Sequence, residues 1–171
     1  MLIINTGCTF NKVYNKLSGN LDIPINNNDA ILHILSNSSC GNNFFSNYNL
    51  TSIISKDSLE FTQSDRQLLL DTILNSNETD IIIVHGTDTM YKSALFLSKD
   101  KNILDKKIIF VGSMKPFCID NIEATFNFAM ALGYIKNMDN NIAVSMNGHI
   151  GSFKNVLKNK IEGFFEFNLL D

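Results

Sequence analysis

No apolar run in the 171 residues approaches the ~18 that a membrane-spanning helix needs, so none is expected. Positive charge is not in excess. Fourteen Lys and Arg against 17 Asp and Glu leave a net charge of −3, which excludes a strongly basic surface for nucleic acid or anionic lipid. Cysteine is scarce: Cys8, Cys40 and Cys118 are odd in number, far apart and never spaced C-x-x-C. That excludes a disulfide framework and a cysteine zinc site, and fits free thiols in a cytoplasmic, reducing setting. The opening MLIIN has no basic n-region or cleavage site, so no signal peptide is expected. Three familiar signatures are missing: no G-x-G-x-x-G follows the first strand, and neither G-x-x-x-x-G-K-[ST] nor G-x-S-x-G occurs. His33, His85 and His149 lack metal-ligand spacing, and each reads as a structural histidine, although His85 must lie near the site described below. Neither a metal nor a cofactor is expected.

What is present is one domain's worth of chain, 1–171, with 44% hydrophobic and 18% charged residues, enough to bury a full core. Its centre is the stretch DIIIVHGTDTMYKSALFLS over 80–98. The β-branched run 81–84 suits a strand buried on both faces of a parallel sheet. It stops at His85-Gly86, presents Thr87-Asp88-Thr89, and gives way to Met90, Ala94 and Leu97 at helical spacing. Asp88 or Thr89 serves equally well as a plain helix N-cap. The first strand, 2–5, uses the same device and ends in Thr6-Gly7-Cys8-Thr9.

Further strands are expected over 50–55, 107–112 and 142–146, and helices over 29–35, from Thr62 to Asn75, over 89–98 and from Asp120 onward. Phe61 is placed to staple the second helix. Asp120 with Glu123 forms a capping pattern for the last, whose apolar positions include Ile122, Phe126 and Ala129. The segment 10–28 has no clean period and reads as a lid carrying Tyr14. A polar tract 36–43 and a turn at 44–48 follow the first helix, and 147–171, with Lys158, has no clear period. Alternating strands and helices predict an α/β fold with a doubly wound, mostly parallel sheet and helices on both faces. In the flavodoxin-like (Rossmann-like) order 2-1-3-4-5, the switch point brings together the strand ends bearing Thr9 and Thr87, with Ser55 and Ser113 alongside. A threonine hydroxyl becomes a nucleophile when a neighbour takes its proton. A lysine is such a base once desolvation lowers its pKa, and an aspartate orients it. Glycine-turn N–H groups supply an oxyanion site, so the chemistry points to attack on an amide or ester carbonyl.

Taken together, Thr6-Gly7-Cys8-Thr9, Ser55-Lys56-Asp57, His85-Gly86-Thr87-Asp88-Thr89 and Val111-Gly112-Ser113-Met114-Lys115-Pro116 resemble the successive motifs of the bacterial-type L-asparaginase/glutaminase family. The likeness covers the amino-terminal domain, without the family's smaller carboxy-terminal domain, and Asn11-Lys12-Val13-Tyr14 resembles a segment of short single-domain relatives. The resemblance implies an amidohydrolase that releases ammonia from asparagine, glutamine or a related small amide through a threonine acyl-enzyme. By position it makes Thr9 the nucleophile, Tyr14 the lid tyrosine, Ser55 the α-carboxylate ligand and Thr87 the second threonine. Asp88 takes the α-amino group, Lys158 pairs with Thr87, Gly86 and Asp57 border the substrate, and Ser113 places a backbone group near the amide. It also implies a homodimer or higher homo-oligomer. Cys8 stands where the family has glycine, and Lys56 adds a charge beside the carboxylate pocket. These departures, with the shorter length, motivate the alternative of a catalytically weak amino-acid-binding or protein-interaction module on the same fold.

Overall fold

The structure is a computed structural model that describes residues 1–38, 48–139 and 141–168. The strands are β1 (Leu2–Gly7), β2 (Val13–Tyr14), β3 (Leu21–Asp22), β4 (Asn49–Lys56), β5 (Asp80–Val84), β6 (Lys107–Val111), β7 (Ile142–Met146), β8 (His149–Ser152), β9 (Val156–Asn159) and β10 (Phe164–Phe167). The helices are α1 (Asp29–Ser38), α2 (Gln63–Leu74), α3 (Met90–Leu97) and α4 (Asn121–Tyr134). Most of the expected polar tract and turn over 36–48, with Cys40, lies outside the described residues.

The main sheet has the order β4-β1-β5-β6-β7-β8, parallel except for the terminal β7–β8 pair. Counting the parallel strands along the chain gives 2-1-3-4-5, the expected doubly wound order. Strand residues alternate between two cores because successive side chains leave opposite faces. Leu2, Ile4, Ile81, Ile83, Ile108 and Phe110 meet α2 and α3 through Leu69, Ile73, Met90 and Leu97. Ile3, Ile82, Val84, Ile109 and Val111 meet α1 and α4 through Ile31, Ile34, Phe128 and Ala131. Helices therefore cover both faces, which is why the central strands read as unbroken apolar runs.

Two details differ from the sequence reading. Ile122 and Phe126 of α4 are 74% and 55% exposed, and the helix buries Ala124, Asn127, Phe128, Ala131 and Leu132 instead. Apolar side chains ring this helix, so composition alone does not pick its inward face; contact with Ile31, Ile34 and the sheet does. Asp120 caps α4 by accepting from Ile122 N, but Glu123 does not complete a capping box. Its carboxylate accepts from the backbone of Met114 and Lys115. No helix among the described residues is long and apolar enough to cross a membrane.

At α2 the helix opens at Thr62, as expected, with a capping box. Thr62 Oγ1 accepts from Asp65 N, and the Asp65 carboxylate accepts from Thr62 N. Lys56 closes the arrangement with a 2.8 Å ion pair to Asp65. Substituting Thr62→Ala should lower stability by about 1 kcal/mol. Urea unfolding checks this, with the midpoint expected to fall while the slope stays constant.

Candidate active site

Thr6 Oγ1 donates 2.8 Å to the Val84 carbonyl, fastening the end of β1 to its parallel neighbour β5. Beyond it the chain turns through Gly7 at φ 81 and Cys8 at φ 73, ψ −171. A side chain at Gly7 would meet the Ser55 and Lys56 backbone at 2.9 Å, so only glycine lets β1 end so close to β4. The expected departure at Cys8 is thus a real conformational cost. A non-glycine residue in that region carries about 1–3 kcal/mol of strain. The thiol is fully buried, and burial pushes it up to about 12 against the pull of the Phe10 N–H. Thr9 follows, half-buried, with no hydrogen bond from its hydroxyl to another described residue.

One amide holds this turn. Asn5 Oδ1 accepts from Gly7 N and Asn11 Nδ2, and Asn5 Nδ2 donates to the Asn27 carbonyl and Asn28 Oδ1. A single buried side chain joins the β1 turn to both ends of the 10–28 segment. The sequence reading passed over it among the many asparagines. Its signal was position: an amide ending a β-branched run, where a strand gives way to a turn.

The β5 turn interlocks with the first. A Cβ on Gly86 would lie 2.4 Å from the Ser58 side chain and 3.1 Å from Cys8 Cβ, so the glycine is where the two turns touch. Neither Asp88 nor Thr89 caps α3 through its side chain. Thr89 Oγ1 donates to the Ser58 carbonyl at 2.8 Å. Asp88 accepts from Lys158 Nζ at 2.8 Å, and the same ammonium donates to Thr87 Oγ1 at 2.7 Å. Lys158 is only 14% exposed and arrives on β9, which pairs antiparallel with β10 in a separate small sheet. Four-residue strands are too short to leave a period, which is why 147–171 read as irregular.

The remaining strand ends carry the other expected residues. Ser55 Oγ, at the end of β4, accepts from Asn26 N at 3.1 Å. Asp57 Oδ1 accepts from Leu59 N, while Oδ2 pairs with Lys12 at 3.1 Å. Partial burial raises the Asp57 carboxyl, but the Leu59 N–H and the Lys12 ammonium outweigh it, Lys158 adds to them, and the group sits below the ordinary range. Lys56 points its ammonium at Asp65 and away from the other strand ends. Ser113 Oγ is committed to the Lys115 carbonyl at 2.6 Å. Tyr14 is the residue that stands apart, 60% exposed on the β2–β3 hairpin with no hydrogen bond from its hydroxyl to a described residue. Lys12, noted in the sequence only as part of the Asn11-Lys12-Val13-Tyr14 segment, supplies the ion pair at the root of that hairpin. No cluster of three or more His, Cys, Asp or Glu suited to a metal occurs among the described residues.

A doubly wound sheet whose β5 end carries Thr87 and Asp88 bonded to Lys158, with Thr9 just beyond the end of the neighbouring β1, defines an α/β protein with its candidate site at the strand ends. The chain belongs to the asparaginase family, matching its N-terminal domain ("Asparaginase, N-terminal") over residues 1–169. It is 34% identical over 90 residues to a glutaminase-asparaginase of Pseudomonas fluorescens biotype A, spanning 50% of this chain and 25% of that protein. It is 30% identical over 119 residues to the glutaminase-asparaginase of Acinetobacter glutaminasificans, spanning 64% of this chain and 36% of that one. These matches therefore span well under half of either relative. The fold is that of the thermostable L-asparaginase from Thermococcus kodakarensis, with a TM-score of 0.80, 20% identity, and coverage of 99% of this chain and 51% of that one.

His85, beside the two turns, is structural. Its Nδ1–H donates to the Gly86 carbonyl, Nε2 accepts from Ser93 Oγ, both at 2.8 Å, and its ring stacks edge-on against Phe61 and Phe110. Burial holds its pKa down at about 4. The unfolded chain takes up this proton first, so stability is lost as pH falls from about 6.5 toward 4, by roughly 3 kcal/mol for this residue. Urea unfolding at pH 7.0 and 4.5 should show His85→Gln losing about 2 kcal/mol less than the parent. Equal acid losses would contradict the assignment.

Proposed function

We propose that this chain is an asparaginase-like amidohydrolase that cleaves the side-chain amide of asparagine, glutamine or a related small amide and releases ammonia. The observation that carries the reading is the largely enclosed Lys158 ammonium bonded at once to Thr87 Oγ1 and to the half-buried Asp88 Oδ1. An amine there, once deprotonated, accepts the Thr87 hydroxyl proton, and Asp88 holds the ammonium that results. Thr9, whose hydroxyl bonds to no other described residue, is the nucleophile. Its oxygen attacks the amide carbon, the C–N bond breaks, and ammonia leaves with the hydroxyl proton. Water then attacks the ester, giving up a proton toward Thr87 and Lys158; the bond to the Thr9 oxygen breaks, that proton returns to the Thr9 oxygen, and the acid product departs as its carboxylate by releasing its own proton to solvent. Turn N–H groups stabilise the oxyanion in both halves.

Ser55 holds the substrate α-carboxylate, the second Asp88 oxygen takes the α-ammonium, and Gly86 and Ser113 contribute backbone to the walls. Asp57 acts through Lys12, which anchors the hairpin that carries Tyr14. No cofactor takes part in these steps. We read 1–171 as a single amino-terminal-type domain working as a homodimer or higher homo-oligomer in the cytoplasm, where the thiols of Cys8 and Cys118 stay free. The strain at Cys8 favours a second reading, a binding module with weak turnover or none.

Purified protein should release ammonia from asparagine or glutamine. Thr9→Ala should lower kcat by at least ~1,000-fold, and Lys158→Met by about 100-fold or more. Release that survives Thr9→Ala contradicts the mechanism. Calorimetric binding of aspartate without turnover selects the binding module.

A further inference from the structure

The turn after β6 is gripped from one side by α4. Glu123 offers one carboxylate oxygen to Met114 N at 2.9 Å and the other to Lys115 N at 3.1 Å. One helical turn later, Asn127 Nδ2 donates to the Gly112 carbonyl at 3.0 Å. Ser113 Oγ closes the turn on the Lys115 carbonyl. This clamp lies against the site. The position of a Cβ on Gly112 is 3.2 Å from the Thr87 methyl and 2.6 Å from the His85 carbonyl, so the Gly112 backbone is the wall on which Thr87 is seated. Thr87 in turn presents Oγ1 to Lys158.

We propose that Glu123 is a positioning residue of the active site: by fixing the 112–115 turn it seats the Thr87 methyl and so aims the Thr87 hydroxyl at Lys158. This rests on the reading of Thr87 and Lys158 as a working pair. A carboxylate suits the task because two parallel N–H groups need two acceptors. Glutamine keeps the shape but turns an NH2 toward one of them. Aspartate keeps two acceptors and shortens the reach. The helix start does not need Glu123, since Asp120 already caps it.

The experiment compares the parent with Glu123→Gln and Glu123→Asp, using exposed Glu162→Gln as control. Three readouts are taken: amide exchange at Met114 and Lys115, the Thr87 methyl resonance, and the kinetics of ammonia release. In Glu123→Gln, exchange at both amides should speed about tenfold. The Thr87 methyl resonance should shift, and kcat should fall about tenfold with KM within roughly twofold of the parent. Glu123→Asp should fall between. Unchanged exchange and an unmoved methyl resonance would overturn the proposal. So would a looser turn whose kcat and KM match those of the control. If the parent itself releases no ammonia, the hydrolase reading fails, and exchange with the methyl resonance still decides whether Glu123 seats Thr87.

Discussion

A single ammonium, Lys158 Nζ, ties the last third of the chain to its middle, and the site depends on that bond. Thr87 and Asp88 lie on the turn after β5, about 70 residues before the lysine that bridges them. To bring the lysine there, the chain adds an antiparallel edge strand, turns back and builds the β9–β10 hairpin, whose Val156 and Phe165 join the core on the α2–α3 face. Val156, Phe165 and Lys158 share one face of the hairpin, so the apolar pair anchors it while Lys158, directly across from Phe165, delivers the charge. Burial makes the arrangement demanding: a lysine this enclosed must be paired, and it has one hydroxyl and one carboxylate to satisfy it.

The second constraint is closeness. The β1 and β5 turns touch across Gly86, and β1 approaches β4 across Gly7. Contacts this close leave no room for a Cβ, so these two glycines set how near the strand ends and their turns approach. Asn5 then replaces secondary structure as the source of rigidity, making four hydrogen bonds where the strand ends. Cys8 shows the cost of the same geometry, held at positive φ by neighbours that leave no alternative.

Much of this was legible before any coordinates. The β-branched run at 81–84 announced a strand buried on both faces, 107–112 read as a further strand, and strand–helix alternation pointed to the doubly wound order. Thr9 and Thr87 were recognisable from glycine turns that end strands. What stayed hidden was whatever depends on contacts between distant segments. Asn5 looks like one asparagine among many until its four partners are seen. Glu123 matches a capping pattern at N3, yet a backbone turn on another strand competes for its carboxylate and wins. Ile122 and Phe126 look like core positions because α4 is apolar on nearly every side, and only packing against α1 chooses a face. Lys158 carried no local pattern at all; family resemblance alone singled it out.

The claim at the centre is that the Thr9 oxygen becomes covalently bonded to substrate, with Thr87 and Lys158 positioned to clear it. Its most direct measurement is mass spectrometry of the acid-quenched reaction with asparagine, reading the tryptic peptide that spans residues 1–12. The account predicts a β-aspartyl ester on that peptide at Thr9, more abundant in Lys158→Met if ester hydrolysis slows more than acylation, and absent in Thr9→Ala. Turnover of asparagine with the acyl group found on another residue, or on none under quench conditions that preserve an ester, would contradict it.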